Sequence, residues 1–153
     1  MRVEDLLDIN DIHLNFHATS KKQALRHACG HLGHKLGLDS DDMLSLMLER
    51  EKLGSTGVGH GVAIPHARME SALGITAMLV VFDQPIDFDA IDDLPVDLML
   101  IMVAPMDAGT DHLKALSRVS RLLRDESICD KLRGAGSGTA VMAIITEHTH
   151  AIA

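Results

Sequence analysis

The stretch GSTGVGHGVAIPH, from Gly54 to His66, sets the reading of the whole chain. Gly57, Gly59 and Gly61 permit backbone angles that other residues avoid, and they let a ligand approach the chain closely. Successive N–H groups in such a loop form an anion-binding concavity, and Ser55 and Thr56 add hydroxyl donors. Pro65 fixes its own φ and biases Ile64 towards an extended form, so His66 stands on a stiff stem. Val62-Ala63 stands where a Walker loop needs Lys-Ser/Thr, and the glycines are spaced two and two, not as G-x-G-x-x-G. Nucleotide binding therefore has no motif here.

Two readings of His66 remain open on these residues. One is a histidine that merely completes a loop. The other is an imidazole that takes a phosphoryl group, since a neutral ring with the usual pKa of about 6.5 has a free lone pair at neutral pH. Phosphoryl transfer asks for in-line positioning and charge stabilisation. Arg50, just before the loop, carries a planar fork matched to phosphate oxygens, with a salt bridge to a neighbouring Glu as the alternative. His112, in TDHLKAL, falls in the first turn of a helix that follows a strand end, where anions are favoured. Both can meet the loop at one edge of a sheet.

Outward from the loop, residues 12–16 alternate apolar and polar and predict a short strand. Ser20 and Gln23 form an S-x-x-Q capping box opening a helix, with a stripe of Ala24, Leu25, Ala28, Leu32 and Leu36 and a stop at Gly37. Asp39 or Ser40 starts a second helix to about Lys52, with Met43, Leu44, Met47 and Leu48 inward. VAIP predicts a short strand ending before His66. Residues 74–82 and 96–103 are buried strands joined through a loop or hairpin connection at 83–95. Helices follow over about 111–124, with Leu113, Leu116, Val119, Leu122 and Leu123 inward, over 126–133, and over 139–148 after the glycines 134, 136 and 138. This order predicts a single α/β domain, a mixed β-sheet flanked by helices.

At 153 residues the chain fits one domain, which buries roughly 70% of the surface its unfolded form exposes. Its 46% hydrophobic and 24% charged residues are ordinary for a globular protein. No apolar run approaches the ~20 residues that span a bilayer, and the start MRVEDLLDIN has no signal-peptide pattern. A cytoplasmic protein without membrane insertion is expected. A net charge of −8 disfavours nucleic acid. There is no Trp or Tyr, and only three Phe, so a site here works through backbone dipoles, histidines and charges rather than stacking. Cys29 and Cys129 are isolated, as packed thiols are. No cofactor is expected. His27, His31 and His34 share one helix face, which is either a solvated surface or, in a different functional class, a metal-sensing site. No fourth ligand is evident nearby, and no metal site is assigned.

The run R-E-x-x-G-S-T-G-V-G-x-G-V-A-I-P-H, Arg50 to His66, closely resembles the signature of IIA domains of the bacterial phosphoenolpyruvate:sugar phosphotransferase system. The branch is the fructose/mannitol type, and within it the nitrogen-regulatory IIA proteins. The likeness extends to D-H-L-x-x-L at 111–116 and covers about residues 4–147, leaving 148–153 as a short tail. The resemblance implies a phosphotransferase component in which His66 accepts a phosphoryl group from an HPr/NPr-like phosphocarrier. In it His112 is the second active-site histidine and Arg50 the arginine near the phosphoryl group. Ser55, Thr56, Gly57, Gly59 and Gly61 are expected to stabilise the phosphoryl oxygens. A chain without fused IIB or IIC domains points to the regulatory branch, which signals by contacts with targets such as sensor kinases or potassium transporters. The alternative is a sugar-specific IIA that passes phosphate to a IIB domain.

Overall fold

Two apolar runs lie side by side and antiparallel at the centre of a six-stranded sheet. The computed structural model describes residues 1–151. In chain order these form α1 (Val3–Leu6), β1 (Leu7–Phe16), α2 (Lys21–Leu36), α3 (Ser40–Lys52), β2 (Gly57–Gly59), β3 (Val62–Ala63), β4 (His66–Met69), β5 (Thr76–Ile86), β6 (Val96–Pro105), α4 (Thr110–Leu123), α5 (Glu126–Arg133) and α6 (Gly138–Ala151). The sheet order is β1-β5-β6-β3-β2, and β4 also pairs with β6. β1 runs parallel to β5, and β3 and β4 run parallel to β6, while β5–β6 and β2–β3 are antiparallel. The sheet is mixed, as expected.

The alternation of side chains along β5 and β6 divides the core in two. Met78, Val80, Phe82, Met99, Ile101 and Val103 face Leu25 and Leu32 of α2 and Met43 and Met47 of α3. Ala77, Leu79, Leu98, Leu100 and Met102 face the other way, onto Val119, Leu122, Leu132, Val141 and Ile145 of α4, α5 and α6. A strand covered on both faces must be apolar at every position, which is why these runs read as continuous. Each fully buried Leu or Met contributes about 1.5–3 kcal/mol. Both cysteines are buried and unbridged, and burial pushes their thiols up to about 12 for Cys29 and about 11 for Cys129.

The helix ends follow their capping residues. Ser20 accepts from the Gln23 N–H, and Gly37 closes α2 in the left-handed region at φ 68°. The Gln23 side chain accepts from the Thr19 N–H and hydroxyl rather than from Ser20. Asp39 caps α3 by accepting from Asp41 and Asp42.

Several boundaries differ from expectation. β1 starts at Leu7 rather than residue 12, because polar residues alternate along an edge strand with two register shifts. β5 continues through Pro85 to Ile86, with irregular pairing between Val81 and Ile86, where a residue lacking an N–H is tolerated. The strand expected at VAIP is shortened to β3, Val62–Ala63, and after Ile64-Pro65 a further strand, β4, begins at His66. Pro65 cannot donate, but its carbonyl accepts from the Met102 N–H at 2.9 Å, and the pairing resumes at His66. Leu113 was expected inward and is 62% exposed; His112 takes the inward position instead. Helix α6 extends through 148–151 of the expected tail, whose last two residues lie outside the described residues. Among the described residues no helix is long and apolar enough to cross a membrane.

Candidate functional site

His66 opens β4, opposite Met102 of β6, and Arg68 lies two residues on, so both point to the same side of the strand. The Nδ1 of His66 lies 2.9 Å from the Ile64 carbonyl. A carbonyl only accepts, so Nδ1 carries the proton and Nε2 keeps the lone pair. Pro65 stiffens the peptide between the ring and its acceptor.

His112 comes from the other direction. After β6 the chain turns at Gly109, whose φ of 58° suits glycine, and enters α4 with His112 in its first turn. His112 is 6% exposed. The Arg68 Nε–H donates to its Nδ1 at 2.8 Å, and the terminal nitrogens of Arg68 donate to the Gly109 carbonyl at 3.3 Å and the Met106 carbonyl at 3.5 Å. The His112 Nε2 is buried and has no hydrogen-bond partner among the described residues. The two imidazoles meet edge to face, with centroids 5.7 Å apart and planes at 63°.

Arg50, at the end of α3, donates to the Gly54 carbonyl at 2.9 Å. It makes no salt bridge among the described residues, so the neighbouring-Glu alternative does not hold. Arg50, His66, Arg68 and His112 line one open depression, with Leu46, Leu53, Leu113 and Leu116 around them. Burial lowers the pKa of His66, and the Arg50 charge lowers it further; the Ile64 hydrogen bond and Glu51 oppose this. Burial also pushes His112 down to about 4, with the Arg68 and His66 charges adding to it. Both shifts favour the uncharged ring, one presenting a lone pair and the other an N–H.

The expected anion cradle is arranged differently. The Ser55 hydroxyl donates to the Phe88 carbonyl at 2.8 Å and accepts from the Gly57 N–H at 3.0 Å. Thr56 donates its N–H at 3.0 Å and its hydroxyl to the buried carboxylate of Glu51, which also pairs with Lys21 at 2.7 Å. Gly57 is the position where a Cβ would lie 2.9 Å from Ala90, and Gly61, at φ 80°, the one where it would meet Arg133 and Asp97 at 2.8 and 2.9 Å. Gly59 lines a separate cleft with His60, Leu94 and Arg133. None of these five residues lines the depression that holds the two histidines. They build the hairpin that carries the stem of His66, because its tight turn demands small residues and its buried hydroxyls demand partners. His60, at φ 55°, pairs with Glu126 at 3.1 Å on that separate cleft.

The histidines of α2 also disperse. His31 bonds the buried Asp11 at 2.8 Å, His27 lies edge-on to Phe16, and His34 is exposed. Among the described residues no group of three or more side chains is disposed to hold a metal ion, so the metal-sensor alternative loses its basis. Sequence reasoning missed Arg68 and Glu51. The i, i+2 spacing of Arg68 from His66 was a usable signal once His66 is known to lie in a strand. Glu51 had none beyond its place beside Arg50.

The family described as the phosphoenolpyruvate-dependent sugar phosphotransferase system, EIIA 2, matches residues 5–148. The chain is 40% identical over 145 residues to a nitrogen regulatory protein of Bradyrhizobium diazoefficiens, covering 95% of each. It is 39% identical over 109 residues to a fructose-specific EIIA component of Haloferax volcanii, covering 71% of each. The crystal structure of nitrogen regulatory protein IIA-Ntr from Neisseria meningitidis superposes with a TM-score of 0.89 at 34% identity, over 94% of this chain and 98% of that one.

Proposed function

The chain belongs to the EIIA 2 family of the phosphoenolpyruvate-dependent sugar phosphotransferase system, and from that premise we propose that His66 Nε2 accepts a phosphoryl group from a small histidine-phosphorylated carrier of the HPr/NPr type. The observation that carries this reading is the Nδ1–H···O=C bond to Ile64, which leaves Nε2 as the nucleophilic nitrogen. The Nε2 lone pair forms the new P–N bond while the P–N bond on the carrier's histidine breaks, and its electron pair returns to the carrier's ring. With that ring protonated at its other nitrogen, the carrier leaves as a neutral imidazole and no proton changes hands. The positive charge then sits on the His66 ring, where the Ile64 carbonyl accepts from Nδ1–H and Glu51 is electrostatically favourable. The His112 Nε2–H donates to a phosphoryl oxygen, and Arg50 supplies positive charge at the rim. The exposed Leu53 and Leu113 beside the depression suit contact with another protein.

The output in this reading is regulatory and cytoplasmic: phosphorylation of His66 alters contacts with target proteins, such as sensor kinases or potassium transporters, in response to nitrogen, carbon or potassium status. The similarity to nitrogen regulatory proteins supports it. A second reading, a sugar-specific IIA that passes the phosphoryl group to a IIB domain, draws support from the fructose-specific relative.

The test incubates the chain with labelled phosphoenolpyruvate, the first enzyme of the relay and the carrier. One acid-labile, base-stable phosphate per chain is expected, lost in His66→Ala and kept in His60→Ala. Retention of the label in His66→Ala overturns the assignment. Rapid onward transfer to a IIB domain selects the second reading; pull-down of targets that distinguishes wild type from His66→Glu selects the first.

A further inference from the structure

We infer that Arg68 is a positioning residue that holds His112 as a hydrogen-bond donor only, so that the second histidine steadies a phosphoryl oxygen on His66 and does not itself take the phosphoryl group. The inference rests on the phosphoryl reading of His66 for its consequence, though not for its geometry.

A histidine beside a phosphorylation site has two nitrogens, and either can carry its single neutral-state proton. A guanidinium removes that freedom, because it does not deprotonate in proteins and can only donate. Arg68 Nε–H points at His112 Nδ1 at 2.8 Å, so Nδ1 must be the acceptor and the proton must sit on Nε2. The guanidinium is itself held, since its terminal nitrogens reach the carbonyls of Met106 and Gly109 in the turn that leads into α4. One side chain thus ties β4, the 106–109 turn and the first residues of α4 together. The strand register brings Arg68 to the same side as His66, two residues away.

The consequence lies in the buried Nε2–H. It has no acceptor among the described residues, and leaving such a donor unsatisfied is costly. The ring that carries it sits 5.7 Å from the ring of His66, where an oxygen of a phosphoryl group on Nε2 of His66 would satisfy it. His112 is no rival acceptor for the phosphoryl group, because the lone pair of Nδ1 is engaged by Arg68 and Nε2 bears hydrogen.

The test reads the tautomer directly in the free protein, from imidazole nitrogen chemical shifts and long-range proton–nitrogen correlations at neutral pH. Wild type is expected to show His112 only as the Nε2–H form. In Arg68→Met the ring is expected to populate both tautomers, and phosphoryl acceptance is expected to slow several-fold, short of the ~100-fold that outright loss of one aligned donor costs. Arg68→Lys keeps one donor for Nδ1 but no planar fork, and is expected to recover part of both readouts. A wild-type His112 in the Nδ1–H form overturns the inference with no variant needed. So does a single Nε2–H tautomer, or an unchanged rate, in Arg68→Met. If wild type shows the Nε2–H tautomer yet takes no phosphate from the carrier, the phosphoryl reading fails and, with it, the role in transfer, while the Arg68 lock on the ring stands.

Discussion

Ile64 and His66 are joined twice: through the chain, with Pro65 between them, and through the 2.9 Å bond from the imidazole Nδ1–H back to the Ile64 carbonyl. This closed loop fixes which nitrogen keeps its lone pair. Phosphate on His66 is therefore expected at Nε2, with Nδ1 still protonated. Phosphorus–nitrogen coupling measured on the phosphorylated chain checks this, and phosphate found on Nδ1 contradicts it.

His112 ties stability to pH. In the folded chain its ring is held down to about 4 by burial first and by Arg68 and His66 after that. In the unfolded chain it returns to the usual value of about 6.5. Between those values the unfolded state binds more protons, so stability rises with pH in that window. The contribution is complete above about pH 6.5 and shrinks as pH falls towards 4. Urea midpoints at pH 7 and pH 4.5 are expected to fall further for wild type than for His112→Gln. Equal falls would rule His112 out as the source.

Glu51 is a buried carboxylate with two Thr56 donors and Lys21 around it. Glu51→Ala strands all three, and a cost of about 3 kcal/mol is expected, in line with breaking a buried pair. Urea denaturation measures it. Because the Thr56 end of the loop loses its anchor, a lower rate of phosphoryl acceptance is expected to accompany the loss.

Gly61 and Gly37 both have positive φ, at 80° and 68°, but only one is crowded. A Cβ on Gly61 would lie within 3 Å of both Arg133 and Asp97, whereas a Cβ on Gly37 meets nothing within 4 Å. Gly37→Ala is expected to cost about 1 kcal/mol for the left-handed backbone alone. Gly61→Ala should cost about 2–3 kcal/mol, since it also breaks the Arg133–Asp97 contact. Paired denaturation curves separate the two.

The sandwich of helices around a mixed sheet was legible because its signals are local. Continuous apolar runs mark β5 and β6, and the caps at Ser20, Gly37 and Asp39 bound two helices. Arg50, His66 and His112 were singled out through the resemblance, and the structure places them around one depression. What stayed hidden depends on contacts distant in sequence. β4 was masked by the Ile64-Pro65 break, since its pairing with β6 cannot be read from four residues. Arg68 was invisible for the same reason. The part the glycine loop plays in the hairpin was hidden because glycines that admit an oxyanion and glycines that admit Ala90 or Arg133 have the same spelling. Leu113 was drawn inward because a period of 3.6 does not say which face of α4 meets the sheet when a histidine competes for it.

The two margins of the sheet carry a last consequence. One ends in β2, three residues long. The other ends in β1, which bears two bulge-like irregularities and buries Asp11 completely against His31 and Lys35 of α2. Short margins, bulges and inward charges all obstruct the zipper-like addition of a foreign strand. A molecule whose proposed work is to meet several other proteins in turn is thereby closed to the least selective kind of encounter, strand upon strand, and left open at a concavity where side chains rather than backbone decide who docks.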